Sequence, residues 1–188
     1  FSDIGENEQG IEAYLHAGIL LSQLNRWEEA KENFEKIVLL DPSHWTAHYT
    51  LGKLHFILKN YTEAEKHYQK SLELKPDWGE IHRDLSLLYR LQSHQAEKTI
   101  HHCKLYLKHV SGKVPAEIYF NLGLAYGTLN QDLESLHYFK LALQQEPQNS
   151  LAYYSVGYLL YKQSRFFEAS FHLEKALEYN PDFPEAYC

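Results

Sequence analysis

Twelve histidines and two cysteines in a chain of 188 residues make metal binding the first chemistry to weigh. The densest group is His101-His102-Cys103 with His109 a little further on, and His44 and His48 stand at i, i+4. Successive residues of a helix point about 100° apart, so His101, His102 and Cys103 cannot turn to one ion without help from a second helix. His44 and His48 share a helix face only if the helix already includes His44, and Pro42 marks that point as a boundary. The acidic residues are spread along solvated faces, no glycine-rich phosphate loop occurs, and no nucleophile sits in a recognisable local motif. The expectation is therefore no catalytic residue, no metal and no cofactor. What is left for this chain to do is to bind, and the elements that would present a binding surface can be read from its spacing.

Tyr119-x-x-Leu122-Gly123-x-x-Tyr126 gathers bulky side chains and one small residue on a single helical face. After a polar turn Ser135, Phe139 and Ala142 follow at i, i+4, i+7, and Pro147 stops the second run. The unit is a helix, a turn and a helix, with Gly123 and Ser135 small where the two approach. It recurs. Gly18, Gly52, Gly123 and Gly157 are separated by 34, 71 and 34 residues; Pro42 and Pro76 differ by 34, as do Pro147 and Pro181. Small residues at Ala30, Ala64, Ser135 and Ala169 are each followed four residues later by Phe34, Tyr68, Phe139 and Leu173.

With these residues in view, the chain resembles an array of tetratricopeptide repeats, whose 34-residue period and W-x-x-L-G-x-x-Y, A-x-x-x-F, P pattern it follows. The resemblance implies an all-α, right-handed superhelical solenoid of helical hairpins. The expected organisation is a polar lead-in over 1–10 and one array over 11–183, with repeats at about 11–44, 45–78, 79–115, 116–149 and 150–183. Residues 184–188 open a truncated sixth copy, in which Tyr187 matches Tyr153. The third repeat is three residues longer than the others. Its second helix is expected to start early and run long, burying Ala96, Ile100, Cys103, Leu107 and Val110; Thr99, Cys103 and Tyr106 form the alternative register. Val110 to Pro115 is then the loop, with Gly112 as a helix cap.

A formal charge of −7 and the lack of a long basic run argue against nucleic acid as a partner. No apolar run approaches the roughly 20 residues of a membrane helix. Two cysteines far apart in sequence, Cys103 and Cys188, are no disulfide framework, which fits a reduced, cytoplasmic setting. The chain has no methionine and begins at Phe1, the expected look of a fragment of a longer protein.

In proteins of the family it resembles, ligand contacts come from the first helix of each repeat, on the concave face. Carried over residue by residue, those positions are Leu15 and Ile19 in repeat one, Tyr49, Lys53 and Phe56 in repeat two, and Arg83, Leu87 and Arg90 in repeat three. Phe120 and Leu124 follow in repeat four, and Tyr154, Tyr158 and Tyr161 in repeat five. The position after the glycine holds Ile19, Lys53, Leu87, Leu124 and Tyr158, not the asparagine of members that clamp a C-terminal carboxylate. Of the asparagine ladder of glycosyltransferase-linked arrays only Asn121 is present, beside His16, Thr50, Asp84 and Ser155. Lys53, Arg83 and Arg90 make the middle cationic, unless Arg83 and Arg90 pair with neighbours such as Glu80 or Asp84. The function expected is a non-enzymatic scaffold that holds a peptide of a protein partner, acidic with apolar residues, in the concave groove. The rival is a docking arm of an enzyme whose catalytic domain lies elsewhere, and self-association through the truncated end is a third reading.

Overall fold

The structure is a computed structural model that describes residues 2–92 and 94–182, with side chains from Glu8 onward. Among the described residues it is all helix: α1 (Ser2–Gln23), α2 (Trp27–Leu40), α3 (Trp45–Ile57), α4 (Tyr61–Leu74), α5 (Gly79–Leu91), α6 (Ala96–His109), α7 (Ala116–Thr128), α8 (Asp132–Gln145), α9 (Ser150–Lys162) and α10 (Phe166–Tyr179). They pair as hairpins, α1 with α2, α3 with α4, α7 with α8 and α9 with α10. The fold is an all-α repeat solenoid. Two compact units divide it, Phe1–Leu88 and Tyr89–Cys188, and the border falls within α5. No helix among the described residues is long and apolar enough to cross a membrane.

The helix ends repeat because their chemistry repeats. The odd-numbered helices α1, α3, α7 and α9 close with the same turn bond: Arg26, Asn60, Gln131 and Arg165 donate N–H to the carbonyls of Leu21, His55, Tyr126 and Leu160 at 2.8–3.0 Å. The residue before each donor is left-handed: Asn25, Lys59, Asn130 and Ser164, at φ 56–62°, and His94 does the same after α5. None of these is glycine, so each bears the Cβ penalty of that conformation. Lys59 is exposed, and Lys59→Gly is expected to stabilise the protein by about 0.5–1 kcal/mol. A urea titration in which that variant loses stability would contradict this account of the turn. At the other hairpin end, Asp41, Lys75, Glu146 and Asn180 are extended or nearly so, as the proline that follows each requires.

Inside four of the hairpins a glycine meets a bulky side chain of the second helix. A Cβ on Gly18 would lie 2.7 Å from Phe34, on Gly52 2.6 Å from Tyr68, on Gly123 2.7 Å from Phe139, and on Gly157 2.8 Å from Leu173. Ser135, the small residue of α8, adds a bond, its Oγ donating to the Gly123 carbonyl at 2.7 Å. In the first unit Phe34, Ile37, Ala47, Leu51 and Leu54 form one apolar cluster. In the second, Cys103, Tyr106, Ile118 and Leu122 form one, and Phe139, Val156, Leu159 and Leu160 another.

Three expectations change. Residues 2–10, expected to order only near the first helix, are helical and continuous with α1. In the third repeat α6 is 14 residues long, as are α2, α4, α8 and α10. Its three extra residues lie instead in the connections: one in the turn at 92–95, where the other hairpins have three residues, and two in the loop at 110–115, where the others have four. That extra turn residue shifts α6 by one, so it buries Ala96, Thr99, Cys103 and Tyr106, the alternative register, and leaves Ile100 and Leu107 half-buried. Thr99 can sit at 1% exposure because its hydroxyl donates to the Gln95 carbonyl at 3.2 Å. The truncated sixth copy, with Cys188, lies outside the described residues, and with it the end through which self-association was expected.

Candidate functional site

In the first unit the site is built on α3. Ala47, Leu51, Gly52 and Leu54 face the core, which leaves Tyr49, Lys53 and Phe56 on another side of the helix. His44 caps this helix, its Nδ1 accepting from the Ala47 N–H at 3.2 Å. Tyr49 is built into the fold: its hydroxyl donates to Asp84 Oδ2 at 2.8 Å, and its ring lies against Trp78, centroids 4.4 Å apart. Burial, then the Asp84 carboxylate, pushes its phenol well above the ordinary tyrosine range. Arg83 pairs with Glu80 at 3.0 Å and with Asp84 at 3.5 Å. The expected cationic stretch is therefore corrected in this unit, because the Arg83 charge is already matched by its neighbours.

Lys53 is different. It is exposed, its ammonium lies 5.5 Å from the centre of the Tyr49 ring, and among the described residues no carboxylate pairs with it. Lys53, Phe56 and Leu87 come together around a cavity of about 150 Å³ that Ile57, Tyr68 and Asp84 complete. Asp84 was missed as a site residue, since its bond to Tyr49 spans 35 positions that only the folded hairpins bring together.

In the second unit Phe120 and Leu124 of α7 are half-buried against the cluster around Phe139, the two phenyl rings 5.4 Å apart. Leu124 also borders a cavity of about 390 Å³ with Thr128, Tyr154, Tyr158 and Lys162. Tyr154 and Tyr158 stack at 6.3 Å, and Tyr161 meets Phe166 edge-on at 5.6 Å. Tyr158 and Tyr161 remain 51% and 59% exposed. At the rim Lys162 pairs with Asp132 at 3.1 Å, so this charge too is matched. Arg90 is exposed and lies at a further cavity of about 250 Å³ with His94, Gln95 and Thr128, the last of which also borders the cavity of Tyr154 and Tyr158. Asn121 is 1% exposed and offers nothing to a ligand.

Among the described residues no three histidine, cysteine or acidic side chains are placed to hold one metal ion. Cys103 is buried while His101 is exposed, and Nδ1 of His44 serves the helix cap.

Family models described as tetratricopeptide repeat match residues 15–77, 116–149 and 150–183. No curated protein matches the sequence significantly. Among solved structures, YrrB, described as a TPR protein with an unusual peptide-binding site, superposes with a TM-score of 0.83 at 24% identity, over 99% of this chain and 94% of YrrB. MamA from Desulfovibrio magneticus RS-1 gives 0.83 at 17%, over 93% of this chain and 97% of that one. PilF of Pseudomonas aeruginosa gives 0.75 at 17%, over 96% and 81%. At these identities the likeness is one of fold. The family matches fall in phase with the hairpins and together span most of the sequence, and on that ground the chain belongs to the tetratricopeptide repeat family.

Proposed function

We propose that this protein is an interaction scaffold that holds a peptide segment of a protein partner against its odd-numbered helices, through apolar anchors. The observation that carries this reading is the pair of half-exposed tyrosines, Tyr158 and Tyr161, on a rigid helix whose Tyr154 and Tyr158 border a 390 Å³ cavity. Large aromatic side chains fixed by a helix lose little entropy on binding and recur as interaction anchors. In the first unit, Lys53 beside Phe56 and Leu87 suits an apolar side chain next to a carboxylate. YrrB, a protein of the same fold, is described as peptide-binding, and this supports the reading.

Peptides selected from a displayed random library on the intact protein supply the test. Tyr158→Ala is expected to weaken the selected peptides about tenfold or more, and Lys53→Glu to weaken only those that carry an acidic residue. Peptides that bind both variants as well as the parent would place the site elsewhere.

A further inference from the structure

Only the second repeat sets histidine at three linked positions of the hairpin interface. His48 lies four residues before Gly52, His55 three after it, and His67 just before Tyr68; the fourth repeat has Tyr119, Tyr126 and Tyr138 there. Tyr126 and Tyr138 stack with centroids 5.4 Å apart and 4° between planes, and His55 and His67 stack in the same place at 5.4 Å and 11°. His48 joins them. Its Nδ1 is 3.1 Å from Nδ1 of His67, and its Nε2 is 3.1 Å from the Pro42 carbonyl. His48 and His55 are 7% and 8% exposed, and Nδ1 of His55 is buried with no hydrogen-bond partner.

These contacts fix where the protons are. A carbonyl only accepts, so His48 carries its hydrogen on Nε2, leaves Nδ1 bare when neutral, and takes a hydrogen bond there from Nδ1–H of His67. The ring centres are 5.3 Å apart, longer than the N···N distance by about the width of one imidazole. The two nitrogens therefore face each other along one line, as a hydrogen bond requires, and do not converge on a shared metal. One added proton can be absorbed if His67 changes tautomer and accepts from His48. A second sets two N–H groups head to head inside a packed interface.

We propose that His48, His55 and His67 form a proton-operated joint that loosens the α3–α4 hairpin in mild acid. It stands independently of what the α3 face binds, although Lys53 and Phe56 ride on the helix it would free. The charged groups around the triad are Asp41 and His44 before α3, Glu63, Lys66 and Lys70 of α4, and Glu28, Lys31 and Glu35 of α2, of both signs and largely offsetting. Burial acts on all three imidazoles most strongly and pulls each below the ordinary value; His67 is drawn to about 4, with His48 and His55 adding to the effect. Groups lowered in the folded state contribute stability in full above their unfolded value, about 6.5. That contribution is lost as the pH falls from there towards 4.

The test pairs ring titration by NMR on the parent protein with urea unfolding at about pH 7.5 and pH 5. The variant H48Y/H55Y/H67Y installs the residues of the fourth repeat. The ring signals of His48 and His67 are expected to titrate clearly below the ordinary histidine value of about 6.5, and the variant to lose at least half of the acid-induced drop in unfolding midpoint. Amide protection factors, corrected for the intrinsic exchange rate at each pH, should fall from about pH 7.5 to pH 5 more in α3 and α4 than in α7 and α8, and only in the parent. Rings that titrate at or above about 6.5 overturn the proposal, and they do so even if the variant fails to fold. A folded variant with the full acid loss overturns it as well.

Discussion

Gly52→Leu is expected to cost about 3 kcal/mol, at the upper end for overpacking. A bare Cβ at this position would already stand 2.6 and 2.7 Å from Cδ1 and Cε1 of Tyr68. That ring cannot move aside, because it is 2% exposed and packed against Tyr49, whose hydroxyl is tied to Asp84. Leucine adds three more carbons to the clash. Urea unfolding of Gly52→Leu reads the loss, and an unchanged midpoint would mean that the hairpin register is wrong. The source of the cost can be isolated with alanine: Gly52→Ala should destabilise the parent, yet stabilise Tyr68→Ala by about 0.5–1 kcal/mol, where only the helical preference of alanine over glycine is left.

Phe139→Ala is expected to cost about 3–5 kcal/mol and to spend that loss locally. The ring fills the space beside Gly123, faces Phe120, and is 3% exposed in a cluster with Leu136, Val156, Leu159 and Leu160. In a solenoid each hairpin is stabilised by its neighbours, not by a common core, so the damage should stay near its origin. Amide exchange protection is expected to fall in α7, α8 and α9 while α2, α3 and α4 keep theirs. A uniform fall along the chain would contradict that locality.

Most of the fold was legible because its signals are local and repeated. Glycine and the bulky side chain facing it recur at fixed positions, and the prolines that follow α2, α4, α8 and α10 force the residue before them out of the helix, so hairpins and boundaries could be read without knowing any long-range contact. The third repeat was misread for a physical reason. Its stripe was sought among aliphatic residues, which favoured Ile100 and Leu107, whereas the helix buries Thr99 with its hydroxyl satisfied by its own backbone. Side chains at the site were less legible. The pairing of Arg83 with Glu80, three residues away, can be anticipated from helical spacing. The bond from Tyr49 to Asp84 cannot, because nothing in the sequence says how two helices 35 residues apart are turned about their axes.

The connections carry a consequence for how such a chain can change length. Where the turn has three residues and the following loop four, as around α3 and α4 and again around α7 and α8, a 34-residue block can be duplicated or excised and the cut ends meet with the same turn chemistry. The third repeat behaves differently. With one extra residue before α6 and two after it, its block is not interchangeable with its neighbours: copying it would add three more residues to the offset of every later helix, whereas excising it would leave Gly52 and Gly123 34 residues apart and bring the later repeats into step with the first two. The phase of the array is therefore set by whether this one block is kept.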